Sequence, residues 1–334
     1  MPPPVFLLAF DKKFVIIMAM QNNSSKKPNN LFGDLFGQPT RAKASGLAFS
    51  GATVLPTVLS FTLLIALSVF GLAQTEDYQQ KNWYLYANYL LPQISFAIVA
   101  FLYLRYRQIP VKSAVKSQKC KPKYFIIALL LQIGLFGLSE LNALFLSWLE
   151  GFGYTDAGIA LPGVEGLGFV GVLLVIGVFA SVLEEIVFRG ALLDGLKNSF
   201  STPVAVLLCG ALFAIFHQNP AQTVYQFCCG TAFALVAVKS GSVLPTTLAH
   251  FINNTVILIL YKVGVAQFTT PVFIAVVTVS AVCLIATLGY LIFIDKTEQK
   301  QDVDKSEKKN FFLYSAVGIA LCALTWLLVL FTGI

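Results

Sequence analysis

The chain has 334 residues, 57% of them hydrophobic and only 12% charged, with 23 Lys and Arg against 16 Asp and Glu and a formal net charge of +7. A soluble domain is usually about 25% charged, so a soluble fold is excluded. No basic stripe interleaved with aromatic residues is present, which excludes a nucleic-acid surface. What the composition predicts is an all-α, polytopic transmembrane helical bundle of about eight or nine spans.

Residues 1–19 read as an extension upstream of the true start. Phe14–Met20 is apolar but too short to span, and a signal peptide needs a longer apolar core and a cleavage site. Met20 opens the polar run M-Q-N-N-S-S-K-K-P-N-N. Residues 1–45 are thus expected to be a flexible cytoplasmic tail and 46–334 a single transmembrane domain. Spans are predicted at 47–73, 84–104, 124–148, 168–196, 202–218, 222–239, 243–262, 271–294 and 311–332. The tail carries Lys26, Lys27, Arg41 and Lys43. The connection after the second span carries Arg105, Arg107, Lys112, Lys116, Lys119, Lys121 and Lys123, and Lys296, Lys300, Lys305, Lys308 and Lys309 precede the last span. All three basic segments fall on one side, which gives a cytoplasmic N-terminus, in what is expected to be the plasma membrane. The loop at 105–123 is simplest as an orientation signal, with anionic lipid headgroups as a second role. Of six cysteines, five lie in apolar spans without metal-type spacing and read as small core residues.

The spans contain a few conspicuous polar residues: Glu184, Glu185, Arg189, Asn254, and the chain's two histidines, His217 and His250. Each ionised group at mid-bilayer costs roughly 2.5–3.5 kcal/mol on insertion scales, so the default reading is a buried functional site. The fourth and fifth spans form a hairpin turning near 198–201. Glu184 and His217 stand at similar distances from that turn and are expected at one depth, roughly 20–25 Å from the cytoplasmic side. Asn254 is expected near their level, with His250 about one turn lower. Glu185 and Arg189 are spaced i,i+4 for a structural ion pair on one face, and Glu184 points elsewhere. Phe188 and Phe213, one turn from Glu184 and His217, are expected as packing beside the site. This set suits hydrolysis without a protein nucleophile. Glu184 and His217 would take a proton from water, and His250 with Asn254 would donate to an oxyanion.

Three motifs then fall into order. E-E-I-V-F-R at 184–189, F-A-I-F-H at 213–217 and H-F-I-N-N at 250–254 resemble the E-E-x-x-x-R, F-x-x-x-H and H-x-x-x-N motifs of the CAAX protease and bacteriocin-processing (CPBP) family of intramembrane proteases, and in particular type II CAAX prenyl endopeptidases. The resemblance covers about 125–262, the expected protease-like core. It implies a helical membrane endopeptidase acting on hydrophobic or lipidated peptide or protein substrates. Glu184, His217, His250 and Asn254 would be its catalytic residues. No metal or other cofactor is expected. The alternative is zinc on Glu184, His217 and His250, but no H-E-x-x-H pair is present and Asn is a poor zinc ligand. The last span and the basic loops lie outside anything the motifs imply.

Two other classes of function are weighed. A catalytically idle membrane partner, for example a regulator of a sensor kinase or an immunity protein, needs no aligned Glu184 and His217. A proton-coupled transporter tends to show inverted repeats and broken helices, and neither is visible in the sequence.

Overall fold

A computed structural model of the protein describes residues 37–73, 77–116, 118–156, 158, 160–265, 268–297 and 303–332. The expected extension and most of the expected tail lie outside the described residues. The helices are α1 (Arg41–Val69), α2 (Asn82–Tyr106), α3 (Val111–Lys116), α4 (Lys123–Phe136), α5 (Ser139–Glu150), α6 (Leu167–Ser199), α7 (Thr202–Phe216), α8 (Thr223–Ser240), α9 (Leu244–Val263), α10 (Thr270–Gly289) and α11 (Lys308–Thr332). Among the described residues there is no strand. Among the described residues eight helical stretches, with α4 and α5 counted as one, are long and apolar enough to cross a membrane.

Two sequence expectations need correction. The first helix begins at Arg41 rather than at 47, with Thr40 as its N-cap accepting from the backbone of Lys43 at 3.3 Å. Arg41–Ser45 is therefore helix, not tail. Long basic side chains near a helix end reach the interface, so their presence does not end a span.

The second correction concerns 202–218. Helix α7 has 15 residues, about 22 Å at 1.5 Å per residue, against roughly 30 Å of hydrocarbon. It is too short to span. The chain turns back at once after it, with Gln218 in the left-handed region at φ 53°. Asn219 closes the turn by accepting from the Ala221 amide at 2.8 Å. Backbone polar groups at such a depth need partners inside the protein, and the turn has them. Asn142 of α5 donates to Ala221 O at 2.6 Å and accepts from the Tyr225 amide at 3.0 Å. Trp326 of α11 donates to Thr223 Oγ1 at 2.8 Å.

Packing relies on small residues, as expected where burial of apolar surface gives no drive between helices in lipid. Helices α1 and α11 approach so closely that a Cβ on Gly46 would lie 2.7 Å from Phe311 O. Ser45 donates to Ala191 O on α6 at 2.6 Å, tying α1 to the centre of the bundle. A second core joins α4, α8 and α9 through Leu131, Leu135, Phe233, Val236 and Ala249.

Beyond the end of α10, Asp295 is 4% exposed. It accepts from Tyr124 OH at 2.9 Å, Lys123 Nζ at 3.1 Å and the Thr297 amide at 2.9 Å, and its carbonyl accepts from Lys239 at 2.7 Å. Burial alone would raise its carboxyl, but the hydrogen bonds from Thr297, Tyr124 and Lys123 outweigh it and hold the group well below the usual carboxylate range. This cluster ties α4, α8 and the end of α10 together on the face expected to be cytoplasmic.

Candidate active site

Helix α6 carries Glu184 and Glu185 between two π-helical stretches, Leu173–Phe179 and Ile186–Leu192, the second of which holds Arg189. Such wide turns recur at functional sites, because the extra residue per turn re-aims the side chains beyond it. Glu185 is fully buried and Arg189 is 4% exposed. Arg189 Nη1 donates to Glu185 Oε1 at 2.8 Å, and Nη2 reaches Gly230 O on α8 at 3.5 Å. The guanidinium lies over the Phe213 ring at 4.2 Å and the Phe233 ring at 5.4 Å. A cation held between aromatic faces and a carboxylate is compensated in a place where a lone one would be prohibitive.

The ion pair also serves a second group. His250 of α9 places Nδ1 3.1 Å from Glu185 Oε1 and Nε2 3.9 Å from Glu184 Oε2. A carboxylate only accepts, so Nδ1 carries a proton, and Nε2 faces Glu184. Glu185 therefore holds the imidazole as well as the guanidinium. The Glu184 side chain keeps 13% exposure where Glu185 has none. Of the two adjacent acids, Glu184 is the one a small molecule can reach.

His217 stands at the end of α7. Its Nδ1 lies 2.8 Å from Phe213 O. A carbonyl only accepts, so Nδ1 is the protonated nitrogen and Nε2 is left with its lone pair. The ring touches Phe213 edge-on at 4.7 Å, and Phe213 in turn meets His250 at 6.2 Å. One aromatic ring thus separates the two histidines. Among the described residues His217 and Glu184 make no direct hydrogen bond. The imidazole that meets Glu184 among these contacts is that of His250. Asn254 lies a turn beyond, donating to Ile176 O on α6 at 2.8 Å. Phe188 is fully buried among Phe213, Phe216, Phe96 and Phe49 at 5.0, 5.1, 6.4 and 6.4 Å, which fixes α6 against α7, α2 and α1.

Zinc would need three converging donors. Among the described residues no group of three His, Cys, Asp or Glu side chains is arranged to hold a metal ion.

Sequence reasoning missed Gly230, Phe233 and Phe216, because an apolar or small residue in an apolar span carries no signal of its own. Gly230 is the sharpest case. A Cβ there would lie 2.8 Å from Gly210 Cα, so α7 and α8 touch backbone to backbone where Arg189 reaches Gly230 O. Gly230→Val is expected to push the helices apart, costing about 1–3 kcal/mol in thermal unfolding of the purified protein. It should also lower any activity by more than that stability loss accounts for.

Compared with known proteins, residues 166–256 match the family model Rce1-like, described as type II CAAX prenyl endopeptidase Rce1-like. This segment holds all three motifs. No curated protein and no solved structure matches the chain.

Proposed function

Starting from a membrane-integral chain whose motif-bearing segment is of the type II CAAX prenyl endopeptidase kind, we propose a glutamate-type intramembrane endopeptidase cleaving membrane-associated or lipidated substrates. Glu184 and Nε2 of His217 hold one water between them. The water oxygen attacks the scissile carbonyl carbon as its proton passes to Glu184. The resulting oxyanion is met by His250 and Asn254. For His250 to donate from Nε2 while Nδ1–H faces Glu185, the ring must carry both protons. The proton taken by Glu184 is then delivered to the leaving amine as the C–N bond breaks, and the second proton of the water, left on the new carboxylic acid, passes to the amine, giving a carboxylate and an ammonium. The observation that carries this reading is the division of labour between adjacent acids, with Glu185 closed off by Arg189 and Glu184 open beside His250.

The same reading places the N-terminus in the cytosol, on the side of the basic loops, in the plasma membrane. The purified protein in mixed micelles should cleave an internally quenched peptide ending in a farnesylated CAAX tetrapeptide, or a hydrophobic peptide of the same length. Absence of cleavage on both, from a folded protein, would favour the idle-partner reading instead. Millimolar EDTA or 1,10-phenanthroline should leave the rate unchanged, whereas a zinc site stripped of metal should lose it and recover on readdition.

A further inference from the structure

Behind Asn254 lies a chain of side chains that no motif names. Gln132 of α4 is fully buried and Asn253 of α9 is 7% exposed. Asn253 Oδ1 accepts from Gln132 Nε2 at 2.9 Å and from Tyr225 OH of α8 at 2.8 Å. Asn253 Nδ2 donates to Asn254 Oδ1 at 3.1 Å, and Asn254 Nδ2 donates to Ile176 O at 2.8 Å. Three helices thus converge on the amide of one asparagine, which passes the order on to the next.

The direction of the chain is set by one atom. Amide side chains can be reversed, but the Ile176 carbonyl can only accept. Asn254 must therefore show it nitrogen, which turns Oδ1 of Asn254 toward Asn253. Asn253 must answer with nitrogen, which turns its own oxygen toward Tyr225 and Gln132. Both lone pairs of that oxygen are then filled. Reversing any link sets acceptor against acceptor or donor against donor, at a cost of about 1–3 kcal/mol for each buried group left unmade.

The outcome is that the oxygen of Asn254 is turned to Asn253 and one of its two N–H groups is used, which leaves a second N–H on a side chain that shares its helix face with His250 four residues earlier. An asparagine free to flip could present its carbonyl to an oxyanion, acceptor against anion. The chain is also not built for stability alone, since Gln132 Oε1 is buried with no hydrogen-bond partner. We propose that Tyr225, Gln132 and Asn253 are positioning residues that lock the Asn254 amide with N–H, not C=O, toward the reacting carbonyl. This rests on the protease reading above.

The test uses the full chain and the quenched farnesylated peptide. Tyr225→Phe removes one donor, and Asn253→Asp replaces the nitrogen that must donate by an acceptor. Each is made in the wild type and in Asn254→Ala. Asn254→Ala itself should cost about 10²–10³ in kcat. Asn253→Asp should cost about tenfold or more and Tyr225→Phe a few-fold, in kcat with KM unchanged, and neither should lower the rate further once Asn254 is gone. Wild-type kcat in both, or losses that multiply on top of Asn254→Ala, would overturn the proposal. A second readout needs no activity. The side-chain ¹⁵N amide signal of Asn254, assigned by its loss in Asn254→Ala, should shift in Tyr225→Phe, and an unmoved signal also overturns the proposal. If Asn254→Ala and Glu184→Gln both cleave normally, it is the protease reading that fails, and the amide signal still decides whether the chain holds Asn254.

Discussion

Glu184→Gln should abolish cleavage of the farnesylated peptide, with kcat down by about 10³–10⁴, at the upper end of what a positioned acid–base group supplies, while the protein folds as before. Glutamine keeps the volume and an oxygen near His250, and loses only the ability to take a proton. The structure gives Glu184 no hydrogen bond that the bundle depends on, since its nearest polar contact is His250 Nε2 at 3.9 Å. It also stands directly beside a second buried acid, Glu185. Neutralising it removes a repulsion and a desolvated charge, so the thermal midpoint should stay level or rise. A residue whose loss stabilises the fold and stops the reaction is present for the reaction. His217→Ala should show a similar loss, and the double variant should be little worse than either single one, because both groups act on one water. Normal turnover in Glu184→Gln would remove the mechanism outright.

The bundle itself was legible in the sequence because lipid demands long apolar runs, and most predicted spans agree with the observed helices to within a few residues. The errors have physical causes. Arg41 and Lys43 look like tail but lie in the first turn of a helix that Thr40 caps. The hairpin tip at 217–222 looks like part of a span, and is instead a turn held by Asn142 through the Ala221 carbonyl and the Tyr225 amide, with Trp326 on the Thr223 hydroxyl. At the site, the i,i+4 spacing was enough to foresee the Glu185–Arg189 pair. What spacing along single helices could not foresee is that one imidazole faces both glutamates, because that contact exists only once α9 has packed against α6. Tyr225, Gln132 and Gly230 were beyond reach for the same reason. Their roles exist only once three helices have met.

The second large effect separates what Glu185 and Arg189 do for the fold from what they do for the reaction. Arg189→Met alone leaves a fully buried carboxylate without its cation, and should cost about 3–5 kcal/mol, the usual penalty for stripping one partner from a buried pair. Glu185→Leu with Arg189→Met replaces the pair by apolar groups of similar size. Such replacements are commonly neutral or stabilising, and Phe213 and Phe233 already provide an apolar wall around the guanidinium. The double variant should therefore recover most of the thermal stability. It should not recover activity. His250 Nδ1 loses the oxygen 3.1 Å away that fixes its tautomer and ring plane, and the oxyanion then meets an imidazole free to turn. A kcat about 10²–10³ below wild type, the range seen when one oxyanion donor is lost, is expected from a protein that unfolds normally. Thermal unfolding in detergent, read beside turnover of the same preparation, decides it. A stable double variant with wild-type kcat would mean that the pair holds helices together and nothing more, and that His250 is oriented by another group.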